Sequence, residues 1–184
     1  MNYEEQNAKG YEGDEYVHKE ITKLVERFEI KTIIETGTYK GHTTKRLSEI
    51  AYVISFEKNP ENYREAKSNY PDLNIINIDS VSGLLITLPT PNTLFFLDAH
   101  WKGTPLIEEL ETIREYKLKP VIVIHDFKVP GRDDLGFDSY AGQDYTWEWI
   151  KPSIEAIYGE DYEFYYNDKA EGAKRGLIYI TPKQ

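Results

Sequence analysis

The stretch IIETGTYKGHTTKRL, residues 33–47, decides how the chain is read. An apolar run carries the backbone to an acid, Glu35. Gly37 follows, then three residues and Gly41, before a polar, helix-like run opened by threonines. Glycine reaches backbone angles closed to other residues, so a strand leaving the core through two of them marks a close approach. The N-terminus of the next helix presents free N–H groups that suit a carboxylate or phosphate. The approaching group is expected to be a ligand.

Outward from this segment, short strands and helices alternate. TIIET (32–36) leads to a helix over about 42–50, and YVISFE (52–57) to one over about 60–69 with Pro60 in its first turn. LNIINID (73–79) precedes a short segment at 80–88, TLFFLD (93–98) a helix at 104–116, and PVIVIHD (120–126) a long loop. Several runs are apolar throughout, as expected for a parallel sheet covered by helices on both faces. A helix near 146–158 precedes YEFYY (162–166) and GLIYIT (176–181), whose short link requires antiparallel pairing. The expected fold is therefore α/β, with a seven-stranded, mostly parallel sheet ending in an antiparallel hairpin. Val17, Ile21, Leu24, Val25 and Phe28 recur at helical spacing behind Asp14, a plausible N-cap. Residues 1–13 are polar and aperiodic and read as a mobile arm before a single domain over 14–184.

The 184 residues suffice for one domain with a sizeable core, and 40% apolar content argues for a packed globule. A net charge of -10 weighs against nucleic-acid or anionic-membrane partners. With no cysteine, thiolate metal sites and a cysteine nucleophile are excluded. No leader pattern or long apolar run stands out, so a cytoplasmic location is expected. Oligomeric state is not readable.

Two more acids mark the edge defined by Glu35. Glu57 ends the second strand, 20 residues after Gly37, the usual interval to a ribose-binding acid. Asp79 ends the third strand. The spacing is G-x-x-x-G, with Tyr39 inside it, and not the dinucleotide pattern G-x-G-x-x-G. IETGTYKGHTT resembles the first motif of the class I S-adenosylmethionine-dependent methyltransferases, SFEKNPENYREAKSNY their second strand and helix, and NIINIDS their third strand. The likeness spans roughly 30–181. It implies a Rossmann-like methyltransferase fold whose donor, S-adenosyl-L-methionine, meets Glu35, Gly37, Thr38 and Gly41 at its methionine end. It likewise implies Glu57 on the ribose hydroxyls and Asp79 near the adenine.

FFLDAHW (95–101) and VIVIHDF (121–127) each end a buried strand with an Asp and a His. Carboxylates converging there suit a divalent cation that lowers the pKa of a substrate hydroxyl. The pattern resembles metal-dependent O-methyltransferases, which implies Asp98 and Asp126 as ligands to Mg²⁺ or Mn²⁺. The Asn usual after the second Asp is replaced by Phe127. His100 and His125 either complete the shell or supply a general base. The loop 127–146 reads as a lid with little apolar surface of its own, followed by Trp147 and Trp149. Lys102 and Arg132 are candidate contacts for an anionic acceptor.

The expected activity is methyl transfer to the hydroxyl of a small molecule, such as a phenol or sugar. Two alternatives stand beside it: a metal-dependent hydroxylase or hydrolase on the same scaffold, and a non-catalytic module that binds the donor.

Overall fold

The computed structural model describes residues 3–100 and 103–184. In chain order, α1 (Tyr3–Asn7) and a 3-10 turn (Tyr11–Gly13) precede α2 (Glu15–Arg27) and β1 (Thr32–Thr36). There follow α3 (His42–Leu47), β2 (Tyr52–Phe56), α4 (Pro60–Asn69), β3 (Ile75–Ile76), α5 (Ser80–Leu85) and β4 (Thr93–Leu97). The remainder comprises α6 (Leu106–Glu115), β5 (Val121–Ile124), a small hairpin of β6 (Ser139–Tyr140) and β7 (Gln143–Asp144), α7 (Trp147–Tyr158), β8 (Tyr162–Tyr166) and β9 (Ile178–Pro182).

The main sheet holds seven strands in the order β3-β2-β1-β4-β5-β9-β8. Strands β1 to β5 run parallel. β9 enters antiparallel between β5 and β8. The winding reverses between β1 and β4, and ligands of open α/β sheets gather beyond the strand ends at such a point. Fold class, strand number and terminal hairpin agree with the sequence reading.

Successive strand residues serve opposite faces. Ile34, Phe95, Leu97, Ile122 and Ile124 pack against Leu110 and Ile113 of α6 and Ile150 and Ile154 of α7. Ile33, Leu94, Phe96, Val121 and Val123 pack against Val17, Ile21 and Leu24 of α2. The central strands β4 and β5 are buried along their whole length because both of their faces are covered. Asp14 caps α2 by accepting from the N–H groups of Tyr16 at 2.9 Å and Val17 at 3.1 Å. No helix among the described residues is long and apolar enough to cross a membrane.

Two expectations need correcting. Within residues 1–13, the described part is packed where a mobile arm was expected. Tyr11 is 2% exposed, meets the ring of Phe96 edge-on at 5.9 Å, and donates its N–H to Thr43 Oγ1 at 2.9 Å. Positive φ at Gly10, Tyr11, Glu12 and Gly13 turns the chain sharply enough to drive that one ring inward. Tyr11 stands eight residues beyond the segment's other aromatic, Tyr3, with polar residues around it, and so gives no periodic signal. The loop 127–146 carries its own anchors, with Phe127, Val129, Leu135 and Tyr145 all buried. Tyr11→Ala is expected to cost about 3 kcal/mol of stability, as large-to-small changes in a core do. It should also open residues 3–13 to protease, measured by urea unfolding and limited proteolysis. A variant as stable and as resistant as wild type would detach this segment from the core.

Candidate functional site

At the end of β1 the chain turns through Gly37, at φ +83°, and Gly41, at φ +84°. A Cβ on Gly37 would overlap the carbonyl of Asp98, just beyond β4. A Cβ on Gly41 would stand 3.0 Å from the Tyr70 ring and 3.3 Å from Ala66 Cβ. Both glycines are therefore required by neighbouring parts of the chain itself, a reason the sequence reading had assigned to a ligand. The consequence is useful: the turn after β1 lies against the segment after β4.

Glu35 and Thr38 sit beneath this turn and do not reach its open edge, being 0% and 3% exposed. Glu35 Oε2 accepts from Thr44 Oγ1 and, at 2.5 Å, from Ser55 Oγ; Ser55 and Thr38 share a 2.6 Å hydroxyl contact. Burial outweighs these bonds and raises the Glu35 carboxyl to about 8. Their part is to hold the turn up. Glu57, beyond β2, remains at the rim with 7% exposure. It accepts from the N–H groups of Tyr39 and Asn59, both at 2.7 Å, and burial raises its pKa. A carboxylate has about four acceptor positions, so these two bonds leave capacity for a ligand. Asp79 caps α5 through the N–H of Ser82 at 3.0 Å, a bond that lowers its pKa.

The second constellation lies beyond β4 and β5. One ligand atom from each of Asp98, His100, His125 and Asp126 lies within 4.8 Å of the others. His100 Nε2 is 2.8 Å from both Asp98 Oδ1 and Asp126 Oδ2. His125 Nδ1 stands 3.3 Å from Asp98 and 3.2 Å from Asp126, near enough for charge pairing but not aligned as a hydrogen bond. Asp126 has a φ of +56°, a strained backbone of the kind that gathers at functional sites. Burial opposes charge on all four groups. Pairing wins, raising both imidazoles well above their ordinary value and lowering both carboxyls. Glu109 of α6, 1% exposed, lies below; burial raises it to about 7 against the hydroxyls of Ser80 and Thr36. Thr36 Oγ1 in turn accepts from the N–H of Asp98 at 3.2 Å.

Sequence reading missed several partners. His100 Nδ1 lies 2.8 Å from Asp138 Oδ2, and the Tyr140 hydroxyl donates to that oxygen at 2.7 Å. Arg175 hydrogen-bonds Asp126 through Nε and Asp138 through Nη2. Tyr140 and Tyr145 pack around His100, and Trp149 packs on Tyr145 at 5.3 Å. Asp138, Tyr140 and Tyr145 come from the loop and Arg175 from the terminal hairpin, where charge normally means solvent; Trp149, which the sequence had marked, lies in α7. The one available hint is Gly136, whose Cβ position the Arg175 guanidinium would contact. Lys102 lies outside the described residues, and Arg132 pairs with Asp134 at 2.7 Å.

Compared by sequence, the chain matches no family model and no curated protein. Its fold does match solved structures. The O-methyltransferase TomG from Streptomyces achromogenes, in complex with S-adenosylmethionine, aligns over 92% of this chain and 80% of its own, at 16% identity and a TM-score of 0.63. An O-methyltransferase from Bacillus cereus, in complex with S-adenosylhomocysteine, aligns over 92% and 81%, at 18% identity and 0.60. A precorrin 8w decarboxylase from Methanobacterium thermoautotrophicum aligns over 92% and 90%, at 14% identity and 0.60. The chain has the Rossmann-like fold of the class I methyltransferases. At such identities the likeness reaches no further than the fold.

The Glu35 carboxyl makes stability pH-dependent. Held near 8 in the folded chain, against an ordinary value of 4.5, it keeps a proton that the unfolded chain loses between those values. Stability from this group therefore declines as pH rises across that window. Glu35→Gln removes the titration. Urea midpoints measured from pH 5 to 8 should fall less steeply than in wild type; coincident slopes would mean that folded Glu35 ionises like an exposed acid.

Proposed function

We propose that the chain is an S-adenosylmethionine-dependent methyltransferase that acts on a hydroxyl of a small molecule, assisted by a divalent cation. The observation that carries this reading is the contact between Gly37 and Asp98, which puts the turn after β1 against the residue that opens the Asp/His cluster. Donor and acceptor would thus meet at the switch point of the sheet. Solved complexes of the same fold with S-adenosylmethionine and S-adenosylhomocysteine support the donor.

Glu57 and Asp79 would hold the nucleoside end, and the backbone of the turn the methionine end. When bound, S-adenosylmethionine supplies an electrophilic methyl group on a sulfonium. Asp98, Asp126, His100 and His125 would hold the cation, which supplies Lewis acidity toward an acceptor hydroxyl. Carboxylates suit Mg²⁺ or Mn²⁺, and two imidazoles shift the preference toward Mn²⁺, Fe²⁺ or Zn²⁺. We assign the histidines as ligands in preference to bases. Each imidazole turns one nitrogen toward the Asp98 and Asp126 carboxylates, so a cation held by those carboxylates would take the place of the proton on that nitrogen. Tyr140 and Trp149, packed around the buried Tyr145 beside His100, form an aromatic wall that can stack a phenol or sugar face and exclude water.

S-adenosylhomocysteine is expected to bind wild-type protein in a calorimeter, and Glu57→Ala to weaken it by about 1.5–3 kcal/mol, the worth of hydrogen bonds to a charged group. Wild-type protein that ignores millimolar S-adenosylhomocysteine would end the donor reading. A hydrolytic enzyme on this scaffold would instead keep full activity in Glu57→Ala.

For the acceptor side, Asp126→Asn preserves a residue type that tolerates positive φ. It should cut methyl transfer at least tenfold across a panel of phenols and sugars while leaving S-adenosylhomocysteine affinity within about twofold. Uptake of Mn²⁺ should release protons and tighten as pH rises, because the histidines must lose theirs to ligate. Transfer that survives thorough chelation would remove the cation from the mechanism.

A further inference from the structure

The side chains around His100 close into a ring. Arg175 takes Oδ1 of Asp126 through Nε and Oδ1 of Asp138 through Nη2. The remaining oxygens, Oδ2 of each, face the two nitrogens of His100 at 2.8 Å: Asp126 on Nε2 and Asp138 on Nδ1. Histidine and arginine are thus joined by two aspartates, each using one oxygen on either side. Only the Nε2 side belongs to the Asp98, His125 and Asp126 cluster. The Nδ1 side opens onto Asp138 and the Tyr140 hydroxyl, which lies 3.2 Å away.

A carboxylate facing Nδ1 accepts an N–H and nothing else. Tyr140 gives its own proton to Asp138, so that oxygen is committed as an acceptor from both groups. Asp98 and Asp126 face Nε2 in the same way, so a cation held by those two carboxylates would replace the Nε2 proton and leave the Nδ1 hydrogen directed at Asp138. A carboxylate behind a ligating histidine fixes its tautomer and ring orientation and raises its basicity. Resting on the cation reading above, we propose that Asp138, steadied by Arg175 and Tyr140, is a positioning residue that makes His100 an Nε2 ligand to a divalent cation. The small hairpin of β6 and β7 then has a structural purpose, because Asp138 enters it through an N–H bond to the Asp126 carbonyl at 2.9 Å.

Co²⁺ is a suitable probe, since its visible spectrum reports histidine ligation without any turnover. Wild-type protein, Asp138→Ala, Asp138→Asn and His100→Ala would each be titrated with Co²⁺, with S-adenosylhomocysteine affinity as the check on folding. Asp138→Ala is expected to lose 10- to 100-fold in Co²⁺ affinity. Its spectrum should move toward that of His100→Ala, while S-adenosylhomocysteine affinity stays unchanged. Asp138→Asn, which keeps a neutral acceptor, should fall between Asp138→Ala and wild type. If Asp138→Ala binds Co²⁺ as tightly as wild type and with the same spectrum, the proposal is overturned and the cation reading stands. If wild-type protein takes up neither Co²⁺ nor Zn²⁺, the cation reading fails first and the proposal with it. Should the variants not fold, nitrogen-detected imidazole spectra of Zn²⁺-loaded wild-type protein decide alone. A proton on His100 Nδ1 supports the assignment, and a proton on Nε2 rejects it.

Discussion

Asp98 and Asp126 are carried to the ends of adjacent parallel strands, where two carboxylates in a partly dry environment repel one another unless positive charge lies between them. Much of the surrounding structure answers that constraint. Two histidines reach in from the same strand ends, Arg175 reaches in from the terminal hairpin, and Asp126 adopts a left-handed backbone to turn its carboxylate toward both. Burial alone would neutralise these acids by protonating them. Pairing reverses that outcome and leaves them charged, which keeps the cluster suited to cations.

The fold was legible because its cause is local. Apolar runs without alternation, ending in acids and separated by helical spacing, already require a covered parallel sheet, and the short link between YEFYY and GLIYIT requires an antiparallel end. Asp98, His100, His125 and Asp126 were legible for the same reason, since each follows directly on a buried strand. Asp138 and Arg175 were not. They meet across 37 residues of sequence, each in a polar segment where a charge ordinarily signifies solvent. Gly37 and Gly41 were correctly read as points of close approach, but the sequence cannot say what approaches; Asp98, Ala66 and Tyr70 of the same chain do. Tyr11 was hidden because burial of one ring leaves no period to detect.

The polar groups of the site differ in kind. Glu35 and Glu109 are enclosed, held near neutral pKa values by burial, and each keeps one oxygen without a partner. They brace the turn after β1 and the base of Asp98 from below. Glu57 and Asp79 stand at the rim, where both accept from backbone N–H groups. Carboxyl side chains thus serve here as internal struts where burial is complete, whether a strand carries them, as with Glu35, or a helix, as with Glu109.

The order in which the chain is made gives Arg175 a temporal role. A ribosome that has released residues through Tyr166 has already delivered every acid and imidazole of the cluster. It has not yet delivered the guanidinium that bridges Asp126 and Asp138, nor the strand that fills the gap between β5 and β8. Until then, among the described residues, the three carboxylates of Asp98, Asp126 and Asp138 have only the two imidazoles to offset them, on a sheet that still lacks the strand between β5 and β8. Arrival of β9 repairs both defects in one event. Strand insertion and charge compensation are thereby made simultaneous, so the cluster acquires its final shape only on a completed sheet.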